Sequence, residues 1–438
     1  MNAKTTKFLA VLAVLAFAFA AFAIAAPAEQ DSADTTNVAS VTIDGTTTEY
    51  ATLASAITAA NKADSATITL LANIADTTSA SNSKTITYYI NGTETTTTLK
   101  YVYGITGDIT LNLAGYTISY GSAETTMTAS AGLFLVTGSL EVTTLGSTGG
   151  ISQLNSGATD YQMQIFQVAP GATLEILKGK YETNSAGLIN TYGTTTISAG
   201  DFSMSDIQTK DGCCMMYAVG SDAELTVIAG TIAGPSTNNK AHEYGIYALY
   251  GASIVLGKES SSTGPVITTY YSPVGFNNTT AEASMVIYGG TYTSTAANSP
   301  SAAGEQTVLF LACAGDFYVY GGTFTSAEGK YWASIPYKTN SVNLYVYGGT
   351  FVADGGIYVG TGTTKQTTGV ENTISVSGGS FSSLNATGAA DKATGSALAG
   401  LVNYLTSTQK LLLRRAVRSI TQEPYLPEHL SRLLLVRY

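Results

Sequence analysis

The chain has 438 residues and a formal net charge of −10, with 11% charged and 45% hydrophobic residues. This composition argues against a disordered chain, which is richer in charge and poorer in aromatic residues. The negative charge argues against a nucleic-acid partner, because phosphate binding requires clustered lysine and arginine. The 45 glycines and 28 tyrosines, together with abundant Thr, Val and Ile, are typical of many short strands joined by turns.

Residues 1–28 are predicted to be a signal peptide. Lys4 and Lys7 precede the apolar run Phe8–Ile24, and a small-residue cleavage site stands at its end, either Ala23-Ile24-Ala25 or Ala26-Pro27-Ala28. We therefore expect an exported protein, either secreted or held at the cell surface. The apolar run approaches the length of a membrane span, so an uncleaved anchor is the alternative. Membrane contact is expected only through this segment or through the C-terminal tail.

Segment 41–75 is predicted to contain a short capping helix, at about Ala51–Asn61, and the first strands. The helix is amphipathic and runs into an apolar strand. A helix in this place would cover the open first coil of a solenoid, whose exposed edge would otherwise pair with other chains. Two strand–turn–strand units are predicted next, GDITLNLAGYTIS at Gly107–Ser119 and LEVTTLGSTGGIS at Leu140–Ser152.

A glycine-centred motif recurs along the rest of the body. YVYGGTF stands at Tyr318–Phe324 and Tyr345–Phe351, with relatives at Val286–Tyr292 (VIYGGTY) and Ser375–Phe381 (SVSGGSF). A glycine two residues before an aromatic or apolar residue anchors each copy, and successive anchors lie 21 to 33 residues apart. Including one degenerate copy at Gly257, the anchors are Gly179, Gly200, Gly230, Gly257, Gly290, Gly322, Gly349 and Gly379. Such a period, with strand-like composition, indicates a solenoid.

A single repeat indicates the type of solenoid. Period-two alternation predicts that Val319 and Phe324 point inward and that Tyr318 and Tyr320 point outward. The Gly-Gly pair permits positive φ and a sharp bend, and the recurrent aromatic residue is expected to stack on its counterpart in the next coil. We predict an all-β fold, a right-handed parallel β-helix with coils over 76–384 and a short N-terminal capping helix. A β-propeller, the main alternative, needs four strands per blade and a longer period.

The combined pattern resembles a known group of proteins. The exported start, the YATLASAI helix, the ITLNLAGYTI unit and the serial V-x-G-G-T-F units resemble the pectin-lyase-like right-handed parallel β-helix surface proteins of gut bacteria and archaea. Such proteins are often labelled adhesin-like. The resemblance covers about residues 41–384 and implies an exported, non-catalytic cell-surface protein.

The C-terminal segment, 385–438, differs in composition from the body. No arginine precedes Arg414, and the tail from Lys410 onward carries a net charge of +4, from one lysine and five arginines against two glutamates. LLLRRAVRSI is predicted to be a short basic amphipathic helix. Three interpretations of the tail stay open: contact with a membrane surface or an acidic polymer, a cap on the solenoid, or a segment that is not homologous to the body.

Carbohydrate cleavage is the enzymatic activity that the resemblance suggests. Pectate-lyase-type chemistry uses an arginine base beside calcium-binding aspartates, and the body has no arginine; the G-H-G and R-I-K motifs of polygalacturonase-type enzymes are missing as well. The candidate carboxylate pairs, Asp201 with Glu182 and Asp206 with Asp211, form no repeating column. No catalytic residue, metal site or cofactor is predicted. The sequence favours a non-enzyme, with a polysaccharide lyase or glycoside hydrolase of unrecognised type as the alternative.

Outward tyrosines are the positive functional feature of the sequence. Tyr288, Tyr320 and Tyr347 hold one position in three successive repeats, and Tyr318 and Tyr345 hold a second. They are predicted to form two columns with rungs about 4.8 Å apart. Exposed aromatic strips can stack on sugar rings. These five residues are therefore candidate binding residues for a cell-surface or environmental polysaccharide. The alternatives are that the stacked rings only stabilise the sheet and that the protein is a purely structural surface-layer component.

Overall fold

The computed structural model of the protein describes most of its body. The described residues are 36–121, 131–146, 148–153, 163–184, 187–204, 214–234, 244–277, 279–295, 307–327, 331–335, 340–353, 355–359, 372–382, 410–413 and 418–419. The predicted signal peptide, Asp206, Asp211 and most of the C-terminal segment lie outside these residues. The predictions made for those parts stay predictions.

One helix, α1 (Leu53–Ala60), occurs among the described residues. Thr52 caps its start, because the Thr52 Oγ1 atom accepts a hydrogen bond from the Ser55 amide at 3.1 Å. Its buried side chains recur at helical spacing on one face: Leu53, Ala56, Ile57 and Ala60. The Asn61 side chain ties the end of the helix to the first coil by donating to the Gly104 carbonyl at 2.8 Å. The predicted short N-terminal helix is confirmed.

The first sheet has 14 strands. Its first three strands pair antiparallel, β2 with β1 and β1 with β3. Every later neighbouring pair, from β3 with β7 onward, is parallel. Its strands are β1 (Ala39–Ile43), β2 (Thr46–Tyr50), β3 (Ser65–Leu70), β7 (Asp108–Asn112), β10 (Ser139–Thr143), β13 (Thr173–Ile176), β16 (Thr194–Ile197), β19 (Glu224–Val227), β22 (Ser253–Leu256), β25 (Ala283–Ile287), β28 (Gly315–Val319), β31 (Val342–Val346), β34 (Thr373–Val376) and β36 (Lys410–Leu413).

The second sheet has 12 strands, all in parallel pairs. Its strands are β4 (Ile74–Asp76), β8 (Thr117–Tyr120), β11 (Gly150–Gln153), β14 (Lys180–Thr183), β17 (Asp201–Met204), β20 (Thr231–Ala233), β23 (Val266–Thr269), β26 (Thr291–Ser294), β29 (Thr323–Thr325), β32 (Thr350–Val352), β35 (Ser380–Ser382) and β37 (Arg418–Ser419). The two predicted strand–turn–strand units supply β7 with β8 and β10 with β11, which confirms both.

The third sheet has 11 strands and begins with an antiparallel pair, after which all pairs are parallel. Its strands are β5 (Asn82–Ile90), β6 (Thr93–Ile105), β9 (Ala131–Val136), β12 (Met163–Val168), β15 (Ile189–Thr191), β18 (Cys214–Val219), β21 (Tyr244–Leu249), β24 (Ser272–Phe276), β27 (Leu309–Leu311), β30 (Tyr331–Ile335) and β33 (Gly355–Val359). Each coil visits the three sheets in turn, so the predicted parallel β-solenoid is confirmed.

Aromatic side chains stack along the interior of the second sheet. Phe324 and Phe351 occupy the same register position on β29 and β32, and their ring centroids lie 4.8 Å apart. The column continues in both directions at spacings of 5.0 Å to Tyr292 and 4.6 Å to Phe381. The predicted inward orientation of Phe324 and Val319 is confirmed, since both are fully buried. Isoleucines 232 and 267 separate this column from an earlier stacked pair, Tyr181 and Phe202.

Glycine corners join the first sheet to the second. All eight predicted anchors have φ between +80° and +142°, a region that suits glycine: Gly179, Gly200, Gly230, Gly257, Gly290, Gly322, Gly349 and Gly379. The first glycine of the pair has another role. At Gly321 a Cβ atom would lie 2.6 Å from the Tyr288 carbonyl oxygen of the preceding coil, so only glycine allows the coils to approach this closely.

Two antiparallel hairpins were not predicted. β1 and β2 join at Asp44-Gly45, and β5 and β6 join at Asn91-Gly92, with positive φ at all four turn residues. Asp-Gly and Asn-Gly are the residue pairs that two-residue hairpin turns favour, because both central positions need positive φ. The second hairpin therefore occupies part of the interval 76–384 that was predicted as coils.

The short basic helix predicted over LLLRRAVRSI is wrong for the residues that the structure describes. β36 (Lys410–Leu413) pairs in parallel with β34, and β37 (Arg418–Ser419) pairs in parallel with β35. The last coil presents unpaired backbone groups at its edge, and strand pairing satisfies them. A short isolated helix, in contrast, has to meet a costly nucleation step without such a partner.

Candidate functional site

The five predicted tyrosines come together on the outer side of the first sheet. Tyr318 on β28 is in register with Tyr345 on β31. Tyr288, Tyr320 and Tyr347 each follow the last residue of a strand, at equivalent positions of three successive coils, and their amides donate at 2.8 Å to carbonyls of the preceding coil. We call these five residues the tyrosine face. The repeat thus places chemically identical side chains on neighbouring strands.

The rings of the tyrosine face form two stacked columns. In the first, centroid distances are 5.5 Å from Tyr288 to Tyr320 and 5.0 Å from Tyr320 to Tyr347, with planes 15° and 13° apart. In the second, Tyr318 and Tyr345 lie 5.0 Å apart with planes at 12°. Tyr318 and Tyr320 connect the columns at 6.5 Å. The predicted geometry of two adjoining columns is confirmed.

The tyrosine face is open to solvent. Tyr320 and Tyr347 are 48% and 46% exposed, and the other three members are half-buried. Because the rings stack on each other, the columns present mainly ring edges and hydroxyl groups. The longer column ends beside small residues: register places Gly257 before Tyr288 and Ser377 after Tyr347. The longer column therefore ends beside a glycine and a serine and not beside further aromatic rings.

One acidic residue borders the tyrosine face. Asp316 lies two residues before Tyr318 on β28, and the Asn343 side-chain amide donates to its Oδ1 atom at 2.8 Å. Desolvation, followed by the Asp316 carboxylate and neighbouring tyrosines, raises the pKa of Tyr318. The ring hydroxyl therefore stays neutral at physiological pH and can both donate and accept a hydrogen bond.

An open groove runs beside the tyrosine face, over the corner between the first and second sheets. Its volume is about 480 Å³. We call it the corner groove, and its lining consists only of serine, threonine and glycine: Ser262, Thr263, Gly264, Gly290, Thr291, Gly321, Gly322, Thr323, Gly349 and Thr350. None of these residues was predicted from the sequence to belong to a site. The sequence feature that could have indicated them is the threonine that follows Gly-Gly in each GGT copy. The alternation of side chains along a strand places this threonine on the outer surface.

The two described carboxylate candidates, Asp201 and Glu182, have other groups as neighbours and partners. Asp201 Oδ1 accepts a hydrogen bond from the Thr231 hydroxyl at 2.7 Å, and its cross-strand neighbour is Lys180. Glu182 pairs with Ser203 rather than with a second acid. Within the part of the chain that the structure describes, no three His, Cys, Asp or Glu side chains are grouped closely enough to hold a metal ion.

The two described cysteines lie in the interior and not at the surface. Cys214 and Cys313 are both buried. Burial raises the pKa of the Cys313 thiol to about 12, so it is protonated at neutral pH and inert as a nucleophile. No described helix is long and apolar enough to cross a membrane.

The tyrosine face and the corner groove lie side by side on the described surface. The tyrosine face supplies aromatic edges and phenolic hydroxyls, and the corner groove beside it supplies aliphatic hydroxyls and backbone. These groups are the functional candidates that the described residues offer on this part of the surface. No protein-family model, curated protein or solved structure matches the chain.

Proposed function

We propose that the protein is an exported, non-catalytic, adhesin-like surface protein that binds glycans through the tyrosine face. The observation that carries the proposal is the pair of stacked tyrosine columns, exposed beside an open and uncharged groove. Tyrosine combines a rigid apolar ring with a polar tip, which suits a ligand that is itself partly apolar and rich in hydroxyl groups.

Export and surface location are part of the proposal. They rest on the predicted signal peptide and on the resemblance to pectin-lyase-like β-helix surface proteins. A parallel solenoid fits this role, because it presents the same side chain at regular intervals on a long surface. Right-handed coiling is also proposed, since parallel crossovers in one sheet are right-handed in nearly all cases.

A purely structural role for the tyrosines is the second candidate. The ring spacings of about 5 Å that suit stacking also suit cross-strand stabilisation, which contributes roughly 0.2–1 kcal/mol per pair. The solvent exposure of the tyrosine rings distinguishes the two roles. A stabilising pair gains most when it is covered, whereas Tyr320 and Tyr347 keep nearly half of their surface in water.

A glycan array probed with the purified full-length protein tests the proposal, followed by a product assay on every glycan that binds. The key variant carries Tyr288→Ser, Tyr320→Ser and Tyr347→Ser. Its matched control carries Tyr89→Ser and Tyr116→Ser, which are 40% and 37% exposed but lie outside the tyrosine face.

We expect the key variant to lose binding and the control to retain it, with unchanged β-sheet circular dichroism in both. Retained binding by the key variant would overturn the proposal. Bond cleavage in the product assay would favour the enzyme alternative instead. No binding by the unmodified protein would favour a structural component.

A further inference from the structure

We infer that the ligand of the tyrosine face is a neutral polysaccharide whose chain lies in the corner groove, parallel to the solenoid axis, with one threonine hydroxyl contacting it per coil. This inference rests on the proposed function and specifies the class of glycan, the path of its chain and the residues opposite the tyrosines. The hydroxyls belong to Thr291, Thr323 and Thr350.

The three threonines form a column along the groove. Thr291 on β26 is in register with Thr323 on β29, which is in register with Thr350 on β32. Neighbouring strands lie about 4.8 Å apart, so the column offers one hydroxyl at each such step. A polysaccharide of identical sugar units presents the same hydroxyl groups at regular intervals. Such a ligand can therefore make the same contact with each successive coil.

The hydroxyl groups of this column are available for a ligand. Within the described residues, the side chains of Thr291, Thr323 and Thr350 make no hydrogen bond to the protein. Thr231, which occupies the same column two coils earlier, differs: its hydroxyl donates to Asp201 at 2.7 Å. From Thr291 onward, the described threonine hydroxyls of this column have only water as a hydrogen-bond partner. Sugar hydroxyls can replace that water.

Glycine keeps the floor of the groove free of side chains. Gly290, Gly322 and Gly349 have φ between +109° and +114°, a conformation that other residues rarely adopt. Gly321 cannot carry a Cβ atom without approaching the Tyr288 carbonyl oxygen to 2.6 Å. The same cross-section therefore recurs in successive coils, with a tyrosine on one side and a threonine on the other.

The charge of the groove selects against acidic polysaccharides. Its lining contains no charged residue. Lys258 and Glu259, in the turn that precedes Ser262, are of opposite sign, and Asp316, which borders the tyrosine face, is acidic. The chain as a whole carries −10, so a polyuronate would be repelled and would find no lysine or arginine among the lining residues of the groove.

The first coil of the groove has a longer corner. Residues 257–264 occupy the place that two glycines hold in the next three coils, and they supply Ser262, Thr263 and Gly264. Thr263 is held by Ser261, through a hydroxyl contact of 2.6 Å and an amide-to-hydroxyl bond of 3.1 Å. This corner gives one end of the groove a shape different from the other, so a bound chain has a preferred direction.

Binding of defined polysaccharides to the full-length protein tests the inference. The probes are three neutral polymers (a linear glucan, a mannan and a xylan) and one acidic polymer, polygalacturonate. The key variant carries Thr291→Val, Thr323→Val and Thr350→Val, which keeps shape and β-propensity while removing three hydroxyls. The matched control carries Thr293→Val and Thr325→Val, on the same strands but outside the groove.

We expect at least one neutral polymer to bind, with little dependence on salt, and polygalacturonate not to bind. We expect the key variant to bind that polymer about tenfold or more weakly, since removing several hydrogen bonds at about 1 kcal/mol each amounts to at least one factor of ten. The control should bind as the unmodified protein does, and circular dichroism should match in all three.

Two outcomes overturn the inference while leaving the proposed function in place. One is unchanged binding by the threonine variant when the tyrosine variant has lost it. The other is binding of polygalacturonate in preference to the neutral polymers. Absence of binding to every polymer and every arrayed glycan overturns both the inference and the proposed function.

Discussion

Gly321 packs directly against the carbonyl oxygen of Tyr288 in the preceding coil, where a Cβ atom would lie 2.6 Å from that oxygen. The same contact recurs one coil later between Gly348 and Tyr320. The glycine corner and the tyrosine column are therefore one structural unit, since the backbone of each column tyrosine supports the glycine of the next coil. This close approach keeps successive rings within stacking distance.

Gly321→Ala is expected to destabilise the protein by about 1–3 kcal/mol, because the added methyl group meets backbone that cannot move away cheaply. The free energy of unfolding in urea measures the effect. Gly107→Ala is the matched control, since its Cβ atom would meet its nearest neighbour at 3.4 Å, an ordinary contact. Equal stability of the two variants would contradict the steric account of the Gly-Gly pair.

Tyr292→Phe is expected to cost about 1–2 kcal/mol. Tyr292 is fully buried in the aromatic column, and its hydroxyl donates to the Gly289 carbonyl at 2.6 Å. Removal of the hydroxyl leaves that carbonyl without this bond, while the ring shape already occurs at Phe324 in the next coil. Urea unfolding measures the cost, and an unchanged midpoint would show that the bond contributes nothing to stability.

Alkaline pH is expected to weaken the fold. Burial raises the pKa of Tyr192 to about 12 and that of Tyr292 well above 10. Stability from such a tyrosine is present in full below its unfolded pKa of about 10 and is lost as pH rises through the folded pKa, at about 1.4 kcal/mol per pH unit for each group. Urea midpoints measured from pH 8 to pH 11.5 should fall above pH 10.

The matched comparison for this titration is Tyr292→Phe, which removes one of the ionising groups. Its midpoint should fall less steeply above pH 10 than that of the unmodified protein. Parallel curves would mean that the loss of stability comes from other groups.

The hairpin of β5 and β6 is expected to brace the solenoid. Its Tyr88 ring lies 5.1 Å from that of Tyr192, and Ser221 binds the hairpin tip by donating its amide to the Tyr89 carbonyl at 2.8 Å and accepting from the Asn91 amide at 3.1 Å. Tyr88→Ala should lower the free energy of unfolding by about 2–4 kcal/mol through lost packing.

Tyr89→Ala is the control for the hairpin, because this neighbouring ring is 40% exposed. It should change stability by less than about 1 kcal/mol. Limited proteolysis gives a second measurement, since release of the hairpin in Tyr88→Ala should open new cleavage sites near residues 88–94. Identical digestion patterns for the two variants would contradict the bracing role.

Local sequence pattern was sufficient to predict the repeating part of the fold. The alternation around Val319 and Phe324 predicted which side chains are buried, because a strand reverses its side chains at every residue whatever the tertiary context. The hairpins were missed although Asp44-Gly45 and Asn91-Gly92 carry their turn signal, since the flanking strands are rich in threonine and lack a clear apolar face. The tail was mispredicted because a short basic helix and a pairing strand leave similar local patterns.

By itself, the sequence determined the period of the coils, the glycine corners and the outward position of five tyrosines, because each depends on the backbone preferences of a few adjacent residues. Tertiary structure decided which coils come into register, and therefore that the tyrosines stack in two joined columns and that Thr291, Thr323 and Thr350 line a groove beside them. Register depends on pairing between residues about thirty positions apart in the chain. Only the stacked coils, packed on a common core, bring those residues together.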